Sequence, residues 1–353
     1  MTELYLIRHG MPDFPSGRKV CIGRTDTPLG KVGHMQAYLA SLAIAPHVDQ
    51  VFCSKLSRAI ETASYLSPSP TVIDGLEEID CGDWDGLDFE EIKMRWPDLY
   101  ASRASDPGLL PLHAEPLADG QARFAAAIDK IVTTPFKRIA VVAHQSVIQS
   151  FICKTEHISL DEMRKIRLPY ASVSHFSFDG GKYRLHTAGR QYLPELTPDI
   201  CLHLLSASST EERIIAHCKA VAEEAIRIAN SLPLPLDKKN LYHAALLHDI
   251  ARLGKDHART GANWIEAVGY GELSCLIRQH HVLESTSINE AAILYLADKC
   301  ICENKRVTIA ERFEYSRKKC KDAAALAAHQ DRYQVTLHLK ETVNSLCGKE
   351  VII

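Results

Sequence analysis

The sequence predicts two domains of different class: an α/β domain whose sheet is flanked by helices in three layers, and after it an all-α domain. Three observations carry this. The chain has 353 residues, more than one ordinary core organises. Short apolar runs alternate with helix-like stretches through the first half. From Glu211 onward the apolar spacing is nearly all helical.

Taken in order, residues 4–7 form a short apolar run that closes at Arg8-His9-Gly10. Val51-Phe52-Cys53 is a second run, ending at Ser54, and residues 139–143 are a third, ending at His144. A helix-like stretch follows each, which argues for a mainly parallel sheet covered by helices. Residues 172–178, Gly180-Gly181 and residues 183–187 read as a terminal hairpin. The first domain is therefore placed at 1–193. Residues 194–210, with Pro194, Pro198 and a Ser/Thr-rich end at Thr210, read as a linker finishing in a helix N-cap. The second domain is 211–353. Its helices are expected at 211–230, at 241–251 with Gly254 as the stop, and at 289–299.

Composition narrows the function classes. Hydrophobic residues make up 46% and charged residues 24%, as in an ordinary globular protein. A net charge of -3 gives no field for bulk nucleic-acid binding. The N-terminus lacks a basic run followed by an apolar core, and no apolar stretch reaches membrane-span length. The eleven cysteines are scattered without a Cys-x-x-Cys pair, which suits reduced thiols in a cytoplasmic protein and argues against a zinc-thiolate site. A nucleic-acid partner and membrane insertion are not expected.

In open α/β sheets, ligands sit outside the carboxyl ends of the strands. That rule places Arg8 and His9 after the first strand, Arg58 after the second and His144 after the third. Two arginines and two histidines at strand ends make a pocket for a dianionic phosphate.

The residues around these positions carry a family resemblance. Leu6-Ile7-Arg8-His9-Gly10 resembles the signature of the histidine phosphatase (phosphoglycerate mutase-like) superfamily. Gly23-Arg24-Thr25-Asp26-Thr27-Pro28-Leu29, then Ser54 with Arg58-Ala59, then Leu76-Glu77-Glu78 through Asp85-Gly86, and Ala143-His144 follow in the family's order. The resemblance covers about residues 1 to 190 and implies that family's flanked sheet. It implies that His9 attacks phosphorus and becomes phosphohistidine. Arg8, Arg58 and His144 would hold the phosphoryl oxygens, and Glu78 would protonate the leaving alcohol and later activate water, with register alone favouring it over Glu77. No cofactor is implied at this site. Where relatives often carry Gly-Gly after the second histidine, this chain has Gln145-Ser146, whose Gln145 amide could still reach phosphate. The acidic block is most similar to the branch containing α-ribazole phosphatase-like enzymes, which favours hydrolysis over mutase transfer.

The second half places His217, His248, Asp249 and Asp298 on apolar helix faces. An inward histidine alone is usually a hydrogen-bonded core residue. Two inward carboxylates are costly without a counter-charge, and a divalent cation is the economical answer. Histidine with carboxylate suits zinc, manganese, iron or nickel. The order His217, His248-Asp249, Asp298 resembles the HD phosphohydrolase superfamily over about residues 211 to 320. That resemblance implies metal-dependent hydrolysis, with magnesium also a candidate ion. It makes His257 and His280 ligands of a second metal, His281 a weaker candidate, and Asp249 a bridge. Arg306, or its neighbours Lys305 and Arg312, would hold substrate phosphate.

The expected function is thus a bifunctional phosphohydrolase acting on a small phosphorylated metabolite and on a nucleotide or related ester. Two alternatives stand beside it. One domain could be a nucleotide-binding sensor regulating the other, or the first could be a mutase-like phosphotransferase.

Overall fold

The computed structural model describes residues 1–14, 17–106, 108–252 and 256–353, so Gly254 lies outside the described residues. The chain divides into two compact units, Met1–Pro194 and Glu195–Ile353.

The first unit is built on a six-stranded mixed sheet. Its strands are β1 (Thr2–Arg8), β2 (Gln50–Cys53), β3 (Thr71–Val72), β4 (Arg138–Ala143), β5 (Val173–Asp179) and β6 (Lys182–Arg190). Their order in the sheet is β3-β2-β4-β1-β5-β6. Strands β1 to β4 run parallel, while β5 and β6 return antiparallel as the hairpin. Alternation along β1 explains the three layers. Leu4 and Leu6 pack with Phe124 of α5 (Leu117–Val132) and with Val147 and Phe151 of α6 (Gln145–Thr155). Ile7 faces the opposite way, toward Ile44 of α1 (Lys31–Ile44) and Ala59 and Ala63 of α2 (Ser57–Ser64). The region before α5 carries α3 (Phe89–Arg95) and α4 (Pro97–Ser105).

The register brings the strand ends together. Arg8, the last residue of β1, pairs with Ala143, the last of β4. His9 and His144 therefore emerge side by side. The His9 amide donates to the Ala143 carbonyl at 3.0 Å, and the Ser54 amide donates to Val142 at 3.0 Å. The turn after His9 needs two glycines for close approach: a Cβ on Gly10 would lie 2.4 Å from the Gly33 carbonyl oxygen, and one on Gly33 would lie 2.1 Å from that of Met11.

The second unit is mainly helical. It contains α7 (Pro198–Ala207), α8 (Glu212–Ser231), α9 (Lys238–Leu247), α10 (His257–Ala267), α11 (Gly271–Arg278), α12 (Glu290–Cys300), α13 (Ile309–Arg317) and α14 (Ala323–Cys347). A two-residue pair, β7 (Ile301–Cys302) and β8 (Lys305–Arg306), follows α12.

Two expectations need correction here. Residues 194–210 are not a plain linker, because α7 occupies most of them. Pro198 sits at the helix start, where its missing N–H costs nothing, and the Thr197 side chain caps the helix by accepting from the Ile200 amide. Cys201, Leu204 and Leu205 then bury one face, and α7 packs on α9. Thr210 is not the cap of α8. Glu211 holds that position without a side-chain cap, and the Thr210 hydroxyl donates to the Ile250 carbonyl instead. In addition, α9 ends at Leu247, so His248 and Asp249 sit in the turn beyond it rather than within a helix reaching residue 251.

Candidate active sites

In the first unit, His9, Arg58, Glu78 and His144 are all buried around the ends of β1, β2 and β4. His9 Nδ1 lies 2.7 Å from the Gly10 carbonyl oxygen. A carbonyl only accepts, so Nδ1 carries the hydrogen and Nε2 carries the lone pair. Burial, reinforced by Arg58 and Arg8, holds the His9 pKa well below its usual 6.5, so the ring is neutral at pH 7. Burial together with His9 and Arg58 lowers that of His144 in the same way. His144 Nε2 is 2.9 Å from the Ser54 hydroxyl, and the two imidazole rings lie 5.1 Å apart.

Both arginines are fixed by carbonyl oxygens. Arg8 donates to Leu168 at 2.6 Å, and its guanidinium lies 3.8 Å from the centre of the Tyr170 ring. Arg58 donates to Thr25 at 2.8 Å and to Gly23 at 2.9 Å. The carbonyls that hold Arg58 belong to a loop that is itself held: Asp85 accepts from the amides of Gly23 at 2.9 Å, Arg24 at 2.6 Å and Thr25 at 3.1 Å. The nitrogens Arg8 Nε, Arg58 Nε and His144 Nδ1 are buried with no hydrogen-bond partner among the described residues.

The two neighbouring glutamates have different surroundings. Glu77 is bound to Lys55 at 2.9 Å and Arg123 at 3.5 Å. Burial alone would raise its pKa, but the Lys55 bond and two amide bonds outweigh this and lower it. Glu78 instead sits on the start of α6, where its carboxylate accepts from the amides of Ser146 at 3.0 Å and Val147 at 3.2 Å. Those amides follow His144 and Gln145 directly, so Glu78 borders the histidine pair. The Gln145 amide, the first of α6, is one of those that no intrahelical carbonyl can reach.

Sequence reasoning assigned nothing to Tyr170 and no role to Asp85. Tyr170 precedes β5, and β5 is antiparallel to β1, so its ring is delivered to the end of β1, 5.8 Å from that of His9. A hairpin returning beside β1 was the available signal.

In the second unit, five histidines and two aspartates converge. His217, His248 and Asp249 form one close group, and His257, His280 and His281 form another. Asp249 joins them. Its Oδ2 lies 3.4 Å from His248 Nε2 and 3.7 Å from His217 Nε2, while Oδ1 lies 3.2 Å from His257 Nε2 and 3.7 Å from His280 Nε2. Asp298 Oδ1 completes the first group, 3.1 Å from His217 Nε2 and 3.8 Å from His248 Nε2.

Three of the imidazoles are oriented alike. Nδ1 of His217, His248 and His280 donates to the carbonyls of Glu303, Ala245 and Ile277 at 2.6, 2.7 and 2.7 Å. Each ring thus turns Nε2 inward, the arrangement metal-binding histidines use. His248 Nε2 and His280 Nε2 are buried with no hydrogen-bond partner among the described residues. A buried nitrogen without a partner is costly, and a cation between these groups would satisfy it. Burial alone would raise the carboxyl pKa values. Instead His248 beside Asp249, and Lys299 beside Asp298, hold both well below the usual range, so both carboxylates are ionised. Burial pushes His280 down to about 3, which keeps it neutral. The donor set fits one or two divalent ions.

Arg306 is not brought to this cluster. Its guanidinium lies 3.3 Å from Glu224 and donates to the Val351 carbonyl. Arg312 lines the cavities beside the cluster instead.

The family pattern of the histidine phosphatase superfamily (branch 1) matches residues 4–191, and that of the HD domain matches residues 214–301. The chain is 32% identical over 193 residues to a protein named "Uncharacterized phosphatase PhoE" from Bacillus subtilis (strain 168), covering 52% of this chain and 93% of that one. It is 29% identical over 180 residues to "Bifunctional protein Rv2228c" from Mycobacterium tuberculosis, covering 49% of each, so it spans about half of that relative. Among solved structures, "Bacillus stearothermophilus YhfR" aligns with a TM-score of 0.50 at 28% identity, over 54% of this chain and 97% of that one. Among the described residues no helix is long and apolar enough to cross a membrane.

Proposed function

Because the chain belongs to the histidine phosphatase superfamily and carries an HD domain after it, we propose that it is a bifunctional phosphohydrolase with one phosphohistidine site and one metal-dependent site. The observation that carries the first half is the state of His9. It is neutral, its Nδ1–H is tied to Gly10, and Nε2 is left with its lone pair beside two arginines.

In this reading His9 Nε2 attacks phosphorus and the ester P–O bond breaks. Glu78 gives its proton to the departing alcohol, then takes one from the water that cleaves the P–N bond. Inorganic phosphate leaves and His9 is restored. Arg8, Arg58, His144 and the Gln145 amide bind the phosphoryl oxygens, whose charge offsets the burial of the two guanidiniums. Tyr170 holds the Arg8 guanidinium over its ring. Glu78 rather than Glu77 is the acid, because Lys55 and Arg123 already engage Glu77. The substrate is a small phosphorylated metabolite.

In the second half, His217, His248, Asp249 and Asp298 would hold one divalent ion, and Asp249, His257, His280 and His281 a second. Zinc, manganese, iron, nickel or magnesium suits these donors. Such ions, when bound, supply Lewis acidity and a water acidified for attack on phosphorus. The backbone carbonyls behind His217, His248 and His280 fix the ring orientations, and Lys299 holds Asp298 Oδ2 at 2.6 Å. The substrate is a nucleotide or a related phosphate ester.

A quench experiment with a phosphorus-labelled ester tests the first half. An acid-labile, base-stable label on the wild-type chain in EDTA, absent from His9→Ala, is the expected result. No such label during turnover would refute it.

A further inference from the structure

The cluster of histidines and aspartates opens onto a cavity of about 590 Å³, within the range that accommodates nucleotide-sized ligands. Asp298 and His281 form part of its wall, and Asp298 is the one carboxylate among the described residues lining it. Facing them are Arg312 from α13, Lys319 beyond it and Arg332 from α14. None of these three cations forms an ion pair among the described residues. Arg312 is anchored through Nε to the Ile301 carbonyl at 3.0 Å, which leaves its terminal nitrogens for another partner. Lys319 lies 4.6 Å over the Tyr315 ring. A second cavity of about 420 Å³ reaches His217 and shares Arg312 and Lys319 with the first.

The two carboxylates of the cluster are engaged by its own histidines, Arg252 and Lys299. They leave three further cations in the adjoining cavity without counter-charge. Three unpaired cations lining one cavity set up a positive field that attracts an anion.

We propose that the second site takes a substrate bearing at least two phosphate groups: the scissile one at the His/Asp cluster, the other between Arg312, Lys319 and Arg332. This rests on the reading of the cluster as a phosphohydrolase centre and narrows its substrate to phosphoanhydrides or bisphosphorylated metabolites. A phosphoanhydride bond would join the two groups directly. A bisphosphorylated metabolite would place an organic spacer between them, with the shared second cavity taking the remainder of the molecule.

The test uses the full-length chain carrying His9→Glu, whose carboxylate removes the nucleophile and pairs with Arg8 and Arg58 so that the first site no longer takes phosphate, with inorganic orthophosphate and inorganic pyrophosphate as probes. Calorimetric binding is measured with the chain as purified, and again with Lys319→Gln or Arg332→Gln. Pyrophosphate is expected to bind at least about tenfold tighter than orthophosphate, and each substitution to weaken pyrophosphate about tenfold while changing orthophosphate far less. Equal binding of the two anions, or a preference that both substitutions leave intact, overturns the proposal. Metal-restored hydrolysis of simple esters, assayed in parallel, separates the two levels. Hydrolysis without pyrophosphate preference sinks this inference alone. Preference without any metal-restored hydrolysis sinks the hydrolase reading and leaves the anion site standing.

Discussion

Asp85→Asn probes how the first site is held together without touching the reacting atoms. Asp85 accepts three backbone N–H bonds from Gly23, Arg24 and Thr25, and the carbonyls of Gly23 and Thr25 in turn fix both terminal nitrogens of Arg58. A carboxamide offers one acceptor oxygen and presents an NH2 group toward amides, so at least one bond is lost. Each such bond to a charged acceptor contributes about 1.5–3 kcal/mol, and removing it leaves donors exposed to repulsion. Asp85 is half-buried, so water recovers part of the loss. The net effect falls on Arg58, whose displacement by a fraction of an ångström weakens transition-state binding. Losses of that kind run to about 100-fold. The expected outcome is a kcat/KM for metal-independent phosphate release lowered about 30- to 100-fold, mostly in kcat, with Asp85→Glu recovering part of it. Metal-restored activity of the same sample serves as the internal control. A change below about twofold would refute the claim that Asp85 acts through Arg58.

Other outcomes follow from the same geometry. Asp249→Ala removes the carboxylate that faces both ligand groups, so metal content measured by plasma emission should fall at both positions, whereas His257→Ala should empty only the second. Because burial depresses the pKa of His9 and His144, the unfolded chain binds protons that the folded one refuses once the pH drops below about 6.5. Stability is therefore fully present above that pH and lost below it, by about 1.4 kcal/mol per histidine at pH 5.5. Thermal melts of wild type and His144→Gln should show a smaller acid-induced fall in the variant, and parallel falls would contradict the assignment. Gly33→Ala places a Cβ 2.1 Å from the Met11 carbonyl oxygen, so the transition of the first unit should drop by the equivalent of about 1–3 kcal/mol in calorimetry.

The positions of His9, Arg58 and His144 were legible because strand ends in an open α/β sheet are ligand positions whatever the rest of the chain does. The roles of Asp85 and Tyr170 were not, since each acts on residues far away in sequence: Asp85 on amides near residue 24, Tyr170 on Arg8. The separation of Glu77 from Glu78 likewise depends on Lys55, Arg123 and the start of α6, none of which is local. In the second half, two inward aspartates beside histidines already demanded a cation, but only the fold shows the two oxygens of Asp249 facing different histidine groups. The stretch 194–210 was misread because Pro198 and the serines signal loop locally, while the spacing of Cys201, Leu204 and Leu205 against α9 decides for helix. Arg306 was favoured by its place after α12, yet Glu224 claims it, and the cations that reach the cavity come from α13 and its end and from α14.

The proposed function rests on one chain carrying two chemically independent phosphate sites. The most direct test is phosphate release from a panel of phosphomonoesters, nucleotides and bisphosphates, in EDTA and then with added manganese or nickel. One activity should survive EDTA and be lost in His9→Ala, and another should require metal and be lost in Asp249→Ala. If every activity vanished in EDTA, the phosphohistidine site at His9 would be contradicted. If no activity responded to metal, the metal-dependent site would be.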